Sequence, residues 1–376
     1  MLQPLLASAT RAVEKLRDIG EPLPDDLDGR LAVAADVAQV DELLRPYVVV
    51  EVEIDEQGLT ASTPGAAPPR LVQHGWRSFL VRVANPHGLL GDLSAPSNDV
   101  LGNVDFHSHS ARIAMPDTLT VVPRIERSWL EVKLAGPTDV SGVDVEYKVI
   151  SLYSRDGGVR GGELSFVMAV EEEFDSITRG PLRKAWQRMG FEARQYAAKY
   201  DFECAPARDI RLDVREPDGS STVATLTVRD GQRRAYPSKA MRLAPDMFFH
   251  DHVYRATGEV ITLPAGQYTI SARRGPEYLE VHLEADVAAY TESLRIDLDR
   301  WTDPAAHGYY SGDPHIHAGG CSHYNVPSEG VTPETMIRHV RGEGLWMGSV
   351  LTWGPCYYHQ KQFFSGSSIS PRAELE

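Results

Sequence analysis

Apolar positions recur at three- and four-residue spacing through the first 46 residues, in "PLLASATRAVEKLRDI" (4–19) and "LAVAADVAQVDELLRPY" (31–47). That period predicts amphipathic helices with one face turned to a core. Between them "GEPLPDDLDG" is a turn-rich break. At residue 47 the period drops towards two: "YVVVEVEI", "WRSFLVRVAN", "TLTVVPRI", "WLEVKLAG", "VDVEYKVISLYS" and "GELSFVMAV" read as strands separated by Gly, Asn and Asp turns. Strands at this spacing predict a β-sandwich over 47–178. The stretch "RGPLRKAWQRMGFEARQYAAKYD" (179–201) has helical composition and predicts a helical connector.

A second run of strands fills 202–300. It comprises "DIRLDVRE", "VATLTVRD", "EVITLPAGQYTISARRG", "YLEVHLEA" and "SLRIDLDR", with "PDG" as the first turn. "LPAGQYTI" places a Pro-Ala-Gly turn between two strands and resembles the transthyretin-like sandwich found as a regulatory domain beside carboxypeptidases. That resemblance implies a fold and no chemistry. From 301 the pattern changes again. "GYYSGDPHIHA" reads as a strand, and "TPETMIRHVRGEG" as a helix with Thr332 at the N-cap and Pro333 at N1. "LWMGSVLTWG" reads as a second strand, parallel to the first after a right-handed crossover. The predicted fold is thus mainly β: two sandwiches, an N-terminal helical element (1–46) and an incomplete β–α–β segment (301–376).

Charge and composition narrow the functions. The 376 residues carry 53 acidic against 38 basic side chains, a formal net charge of −15. With no Lys/Arg-rich run, a nucleic-acid partner is excluded. Three cysteines, Cys204, Cys321 and Cys356, are too few and too scattered for a disulfide framework. No run of about 18 apolar residues appears, so no membrane span is expected. "MLQPLLASATRAVEKLRD" lacks a basic leader and a long apolar core, so it is not read as a signal peptide. The chain as it stands reads as cytoplasmic; a start further upstream would make it secreted or periplasmic.

Candidate chemistry gathers at 308–330, "GYYSGDPHIHAGGCSHYNVPSEG". Residues two apart on a strand face the same way, so Asp313, His315 and His317 share a face. Both imidazoles can reach one divalent metal, while Asp313 either ligates it or orients a histidine from behind. His323 follows in a glycine-rich loop as a third nitrogen donor, and Cys321 and Cys356 are further thiolate candidates beside the bland reading of ordinary thiols. Imidazole suits Zn²⁺, with Mn²⁺ or Fe²⁺ as alternatives. The same His-x-His spacing occurs in "DFHSH" (105–109) and "FFHDH" (248–252), where no further donors stand nearby in sequence. Those two pairs read as surface or structural histidines.

"YYSGDPHIHAGG", followed by a helix and a second strand, resembles the opening of the polymerase-and-histidinol-phosphatase (PHP) metallohydrolases. Within them it is most similar to the carbaryl-hydrolase-like (CehA/McbA) branch, whose members often carry N-terminal β-sandwiches. The resemblance covers about 301–353. It implies a distorted (β/α)₇ barrel, a multi-metal site that activates water against phosphoesters or related esters, and His315 and His317 as the first ligand pair after Asp313. The chain departs from the pattern at "LTWGP" (351–355), where a Thr-Asp-His is usual. His359 and the aromatics Tyr357, Tyr358, Phe363 and Phe364 are expected to pack a helix against the sheet rather than to line a pocket. A barrel needs some seven strand–helix units. The reading here is therefore part of a metal-dependent hydrolase, truncated, completed by another chain or degenerate, with truncation favoured. Assayed alone, such a chain is expected to bind metal weakly and to hydrolyse esters poorly. The competing class is a non-catalytic β-sandwich binding module carrying an inert remnant.

Overall fold

The computed structural model describes residues 2–95, 129–170, 196–242, 245–317, 332–350, 355–364 and 366. The chain is mainly β and divides into two compact units, Met1–Ala207 and Arg208–Glu376.

In the first unit the helical stripe forms as its period requires. Helix α1 (Leu2–Asp18) buries Leu5, Ala9, Ala12, Val13 and Leu16 on one face. It packs with α2 (Asp26–Ala32) and α3 (Val37–Leu44), the last capped by Asp36, whose side chain accepts from Gln39 N. Strands follow: β1 (Val48–Ile54), β2 (Thr60–Pro64), β3 (Arg70–Val72), β4 (Gly75–Ala84) and β5 (Leu90–Ser94). After 129 come β6 (Leu130–Leu134), β7 (Asp139–Ser141), β8 (Val145–Ser154), β9 (Gly158–Leu164), β10 (Val167–Val170) and β11 (Ala198–Ala205).

A five-stranded sheet, β2-β1-β4-β8-β6, faces two three-stranded sheets, β10-β5-β7 and β3-β11-β9. Val81 and Val83 of β4 and Ile150 and Leu152 of β8 point into the sandwich core with Phe166 and Phe202. Leu80, Tyr147 and Val149 turn the other way, to the helices. Both faces of this sheet are covered, which explains its near-continuous apolar strands.

One expectation is corrected. Residues 198–201, read as the end of a helical connector, are strand. In "AKYDFECA" Ala198, Phe202 and Cys204 are buried and the intervening Lys199, Asp201 and Glu203 exposed, a period of two that helical composition upstream had masked. Residues 179–195 of that connector, and the expected strand "TLTVVPRI" (118–125), lie outside the described residues.

The second unit opens with β12 (Ala207–Arg215), β13 (Val223–Asp230), β14 (Ala235–Tyr236), β15 (Val253–Ala256) and β16 (Val260–Pro264). It continues with β17 (Gly266–Arg273), β18 (Tyr278–Leu279), β19 (Val281–Val287), β20 (Ser293–Asp297) and β21 (Asp299–Arg300). The sheets β16-β12-β20 and β14-β13-β17-β19, with β15 also on β13, enclose a core of Leu212, Val214, Leu226, Val228, Leu263, Ile270 and Ile296. The Pro-Ala-Gly turn joins β16 to β17 as expected, and the Tyr268 hydroxyl donates back to Pro264 O at 2.8 Å in the buried interior. Beyond the sandwich, β22 (Gly312–Ile316), α4 (Pro333–Gly342) and β23 (Met347–Val350) form the expected β–α–β unit, with the strands parallel. Helix α5 (Pro355–Gln360) follows. Among the described residues no helix is long and apolar enough to cross a membrane.

Candidate functional site

The parallel pair registers Gly312 on Met347 and Asp313 on Gly348, then slips before Ile316 meets Val350. Pro314 sits in the slip; it has no N–H to give the ladder, so the strand bulges there. Strict alternation is therefore broken between Asp313 and His315, and the three side chains do not share a face by period alone. The bulge still brings the two histidines together. Their Nε2 atoms lie 3.2 Å apart and their ring centroids 5.0 Å apart, with the planes at 56°. Asp313 turns to the backbone: its Oδ1 accepts from His315 N at 2.9 Å, so this carboxylate oxygen shapes the bend that presents His315.

The helix that carries the chain from β22 to β23 is set as its sequence predicts. Thr332 Oγ1 accepts from Thr335 N at 3.4 Å and Pro333 occupies the first turn. Gly348 lies so close to Val340 and Ile316 that a Cβ would meet them at 2.6 and 2.9 Å, which presses α4 onto β23.

Two imidazole nitrogens at this separation either share a proton or converge on one cation. Ligands about 2.0–2.1 Å from a tetrahedral zinc stand roughly 3.3 Å apart, so the pair has the bite of a single-ion site. His323 and Cys321 lie outside the described residues, as do Trp353 and Gly354. Cys356 falls in α5, but its side chain lies outside them too. Among the described residues no three His, Cys, Asp or Glu side chains are grouped to hold a metal. His359 Nδ1 is 3.2 Å from Gln362 Nε2, and its ring packs on Phe363. Tyr357 meets Tyr358 and Phe364, yet all three rings stay exposed, so they do not pack a helix against the sheet; α5 is shorter than two turns and too short to bury them.

The other His-x-His pairs part company. "DFHSH" lies outside the described residues. "FFHDH" does gather partners, from far along the chain, in α4. The His250 and His252 rings stack, 4.5 Å apart at 18°. His252 meets the Tyr254 ring edge-on, and Tyr254 lies 4.5 Å from His339 of α4. The alternation His250, His252, Tyr254 was visible in the sequence as one strand-like face; His339 was not.

No protein-family profile matches the chain, and no curated protein does. Among solved structures it is similar to BcpA, the major pilin subunit of Bacillus cereus. The identity is 10%, the TM-score 0.22, and the match covers 67% of this chain and 78% of that one. It is also similar to the Bacillus anthracis TIE protein, at 9% identity and a TM-score of 0.17, over 85% of this chain and 57% of that one. At such scores neither likeness carries an argument about function.

Proposed function

We propose that this chain is part of a metal-dependent hydrolase acting on ester or phosphoester bonds, of the PHP type and similar to its carbaryl-hydrolase-like branch. His315 and His317 hold the ion. The observation that carries this reading is the 3.2 Å separation of their Nε2 atoms at the C-terminal end of a parallel strand, where α/β folds place their sites. Asp313 acts as a positioning residue, through its bond to His315 N. His323, Cys321 and Cys356 are the candidates in this sequence for the remaining ligands. A bound divalent ion, zinc first and manganese or iron as alternatives, would supply Lewis acidity and a water of lowered pKa. The chain's own part is to fix two imidazoles on a bent, ladder-anchored strand, with their Nε2 atoms brought together. The β-sandwiches would position substrate or steady the catalytic segment. Complementation by another chain belongs to the same proposal.

Zinc titration of the full chain, followed by calorimetry, tests this. Binding is expected to weaken by about tenfold or more in His315→Ala and in His317→Ala, since even the loss of a supporting partner costs that much. Ester turnover by the chain alone is expected to be slow. Zinc affinity indifferent to both substitutions would leave the β-sandwich binding module as the better reading.

A further inference from the structure

Helix α4 is seated on the second sandwich, against β13 and β15. Thr225 Oγ1 donates to Gly342 O, Arg338 pairs with Glu259, Arg274 donates to Arg341 O, and the His339 ring lies on Tyr254, which carries the stacked histidines behind it. The sequence of rings runs Phe249, His250, His252, Tyr254, His339, each in contact with the next at centroid distances of 4.5–5.3 Å. At its far end the Tyr254 hydroxyl donates to Glu343 Oε1, just past the helix. His339 Nε2 lies 3.0 Å from Pro245 O. His252 Nε2 is buried and, among the described residues, has no hydrogen-bond partner. A proton there would be a charge without an acceptor.

We propose that this contact is a pH-sensitive joint: uncharged, the three histidines seat α4 on the sandwich, and protonation in mildly acidic solution releases it. The surrounding charges favour that direction. On the same loop, Arg242 donates to the carbonyls of Pro237, Ser238, His250, Asp251 and His252, which holds a guanidinium against the backbone of the stacked pair. Asp251 of that loop is engaged by Lys239 and Arg229, and Asp246 by Arg255. From β17, Arg273 opposes protonation of His252; from α4, Arg338 opposes that of His339. Glu343 favours protonation of the stacked pair, but its Oε1 already accepts the hydrogen bond of the Tyr254 hydroxyl.

Burial, helped by the neighbouring His250, pushes the His252 imidazole down to about 4. Loss of water on the packed faces lowers His250 and His339 as well. Once undocked, the rings return to the ordinary value near 6.5. Above that pH neither state binds the proton, and docking is insensitive to pH. Between about 6.5 and about 4 the undocked state takes up a proton at His252 that the docked state refuses, so docking weakens as pH falls, by up to about tenfold per unit from that group. The lowered His250 and His339 add to the same direction. Release would free the strand pair that carries His315 and His317. The joint itself does not depend on whether those residues hold a metal.

Hydrogen exchange on the full chain, corrected for intrinsic rates, provides the test. From about pH 7.5 to about pH 5, protection of 333–342 is expected to fall about tenfold or more while the inner strand β17 holds its own. His252→Phe, which keeps the stack and removes the titration, is expected to flatten that fall. Should His252→Phe fail to fold, His250→Phe, at the exposed edge of the stack, is expected to make the fall less steep. Unchanged protection of α4, simultaneous loss at β17, or a fall untouched by the variant that folds would each overturn the joint.

Discussion

At the scale of single residues, the two described His-x-His pairs show how little spacing alone decides. His315 and His317 stand on a bulged strand, with His315 exposed, their nitrogens turned to one another. His250 and His252 stack face to face, His250 at the exposed edge and His252 half-buried against Tyr254, which meets His339 of the helix. The difference comes from Pro314, which breaks a ladder, and from Arg242, which gathers the carbonyls of the other loop. Gly342 is a sensitive point of that contact. A Cβ there would meet the Tyr254 ring at 2.2 Å, and the ring is held by His339 and by its bond to Glu343. Gly342→Ala gains about 1 kcal/mol of helix propensity but faces an overpacking cost of about 1–3 kcal/mol. Net loss is expected, read as faster exchange across α4 at neutral pH. A more protected helix would show that Tyr254 has room to give way.

Single elements are joined by polar pins as well as by apolar stripes. The N-terminal helices lie on the outer face of the first sheet and are tied to it three times. Tyr147 N donates to Ser8 Oγ at 3.2 Å. Arg82 and the Tyr147 hydroxyl both donate to Asp41, and burial together with that bond raises the phenol well above its usual range. Arg77 pairs with Glu21 at 2.8 Å, both side chains under a tenth exposed. Removing one member of a buried pair strands the other, at a cost of about 3–5 kcal/mol, whereas an apolar pair of similar volume is close to neutral. Arg77→Met is therefore expected to lower the urea midpoint sharply, and adding Glu21→Leu to recover most of the loss. Equal midpoints for the single and double variants would show that the pair is not the pin described. The composition of 1–46 revealed the helices; the pins link positions up to 139 residues apart and left no local trace.

On the scale of the whole molecule, each unit has a core of its own. Phe166, Phe202 and Ile150 belong to one, and Leu226, Leu263 and Ile270 to the other. Cores enclosed by separate sheets are expected to fold separately. Fragments 1–207 and 208–376 should each give a strand-rich circular dichroism spectrum and a cooperative thermal transition. A fragment without a transition would show that its sandwich relies on the other unit.

Local period determined much of this protein without help. β-Branched and apolar runs marked β1, β4 and β8, and alternation marked β12, β13 and β17; the three- and four-residue stripe marked α1 and α3; cap residues placed α4; and the His-x-His motif put two imidazoles within a few residues of one another. These features depend on neighbours within a few residues, where backbone geometry alone fixes which side chains meet. Only tertiary structure decided the rest. It put β11 between β3 and β9, turned 250–254 and His339 into one ladder, and bent Asp313 away from its expected face. Those outcomes rest on burial and on partners far along the chain, and no short stretch of sequence contains either.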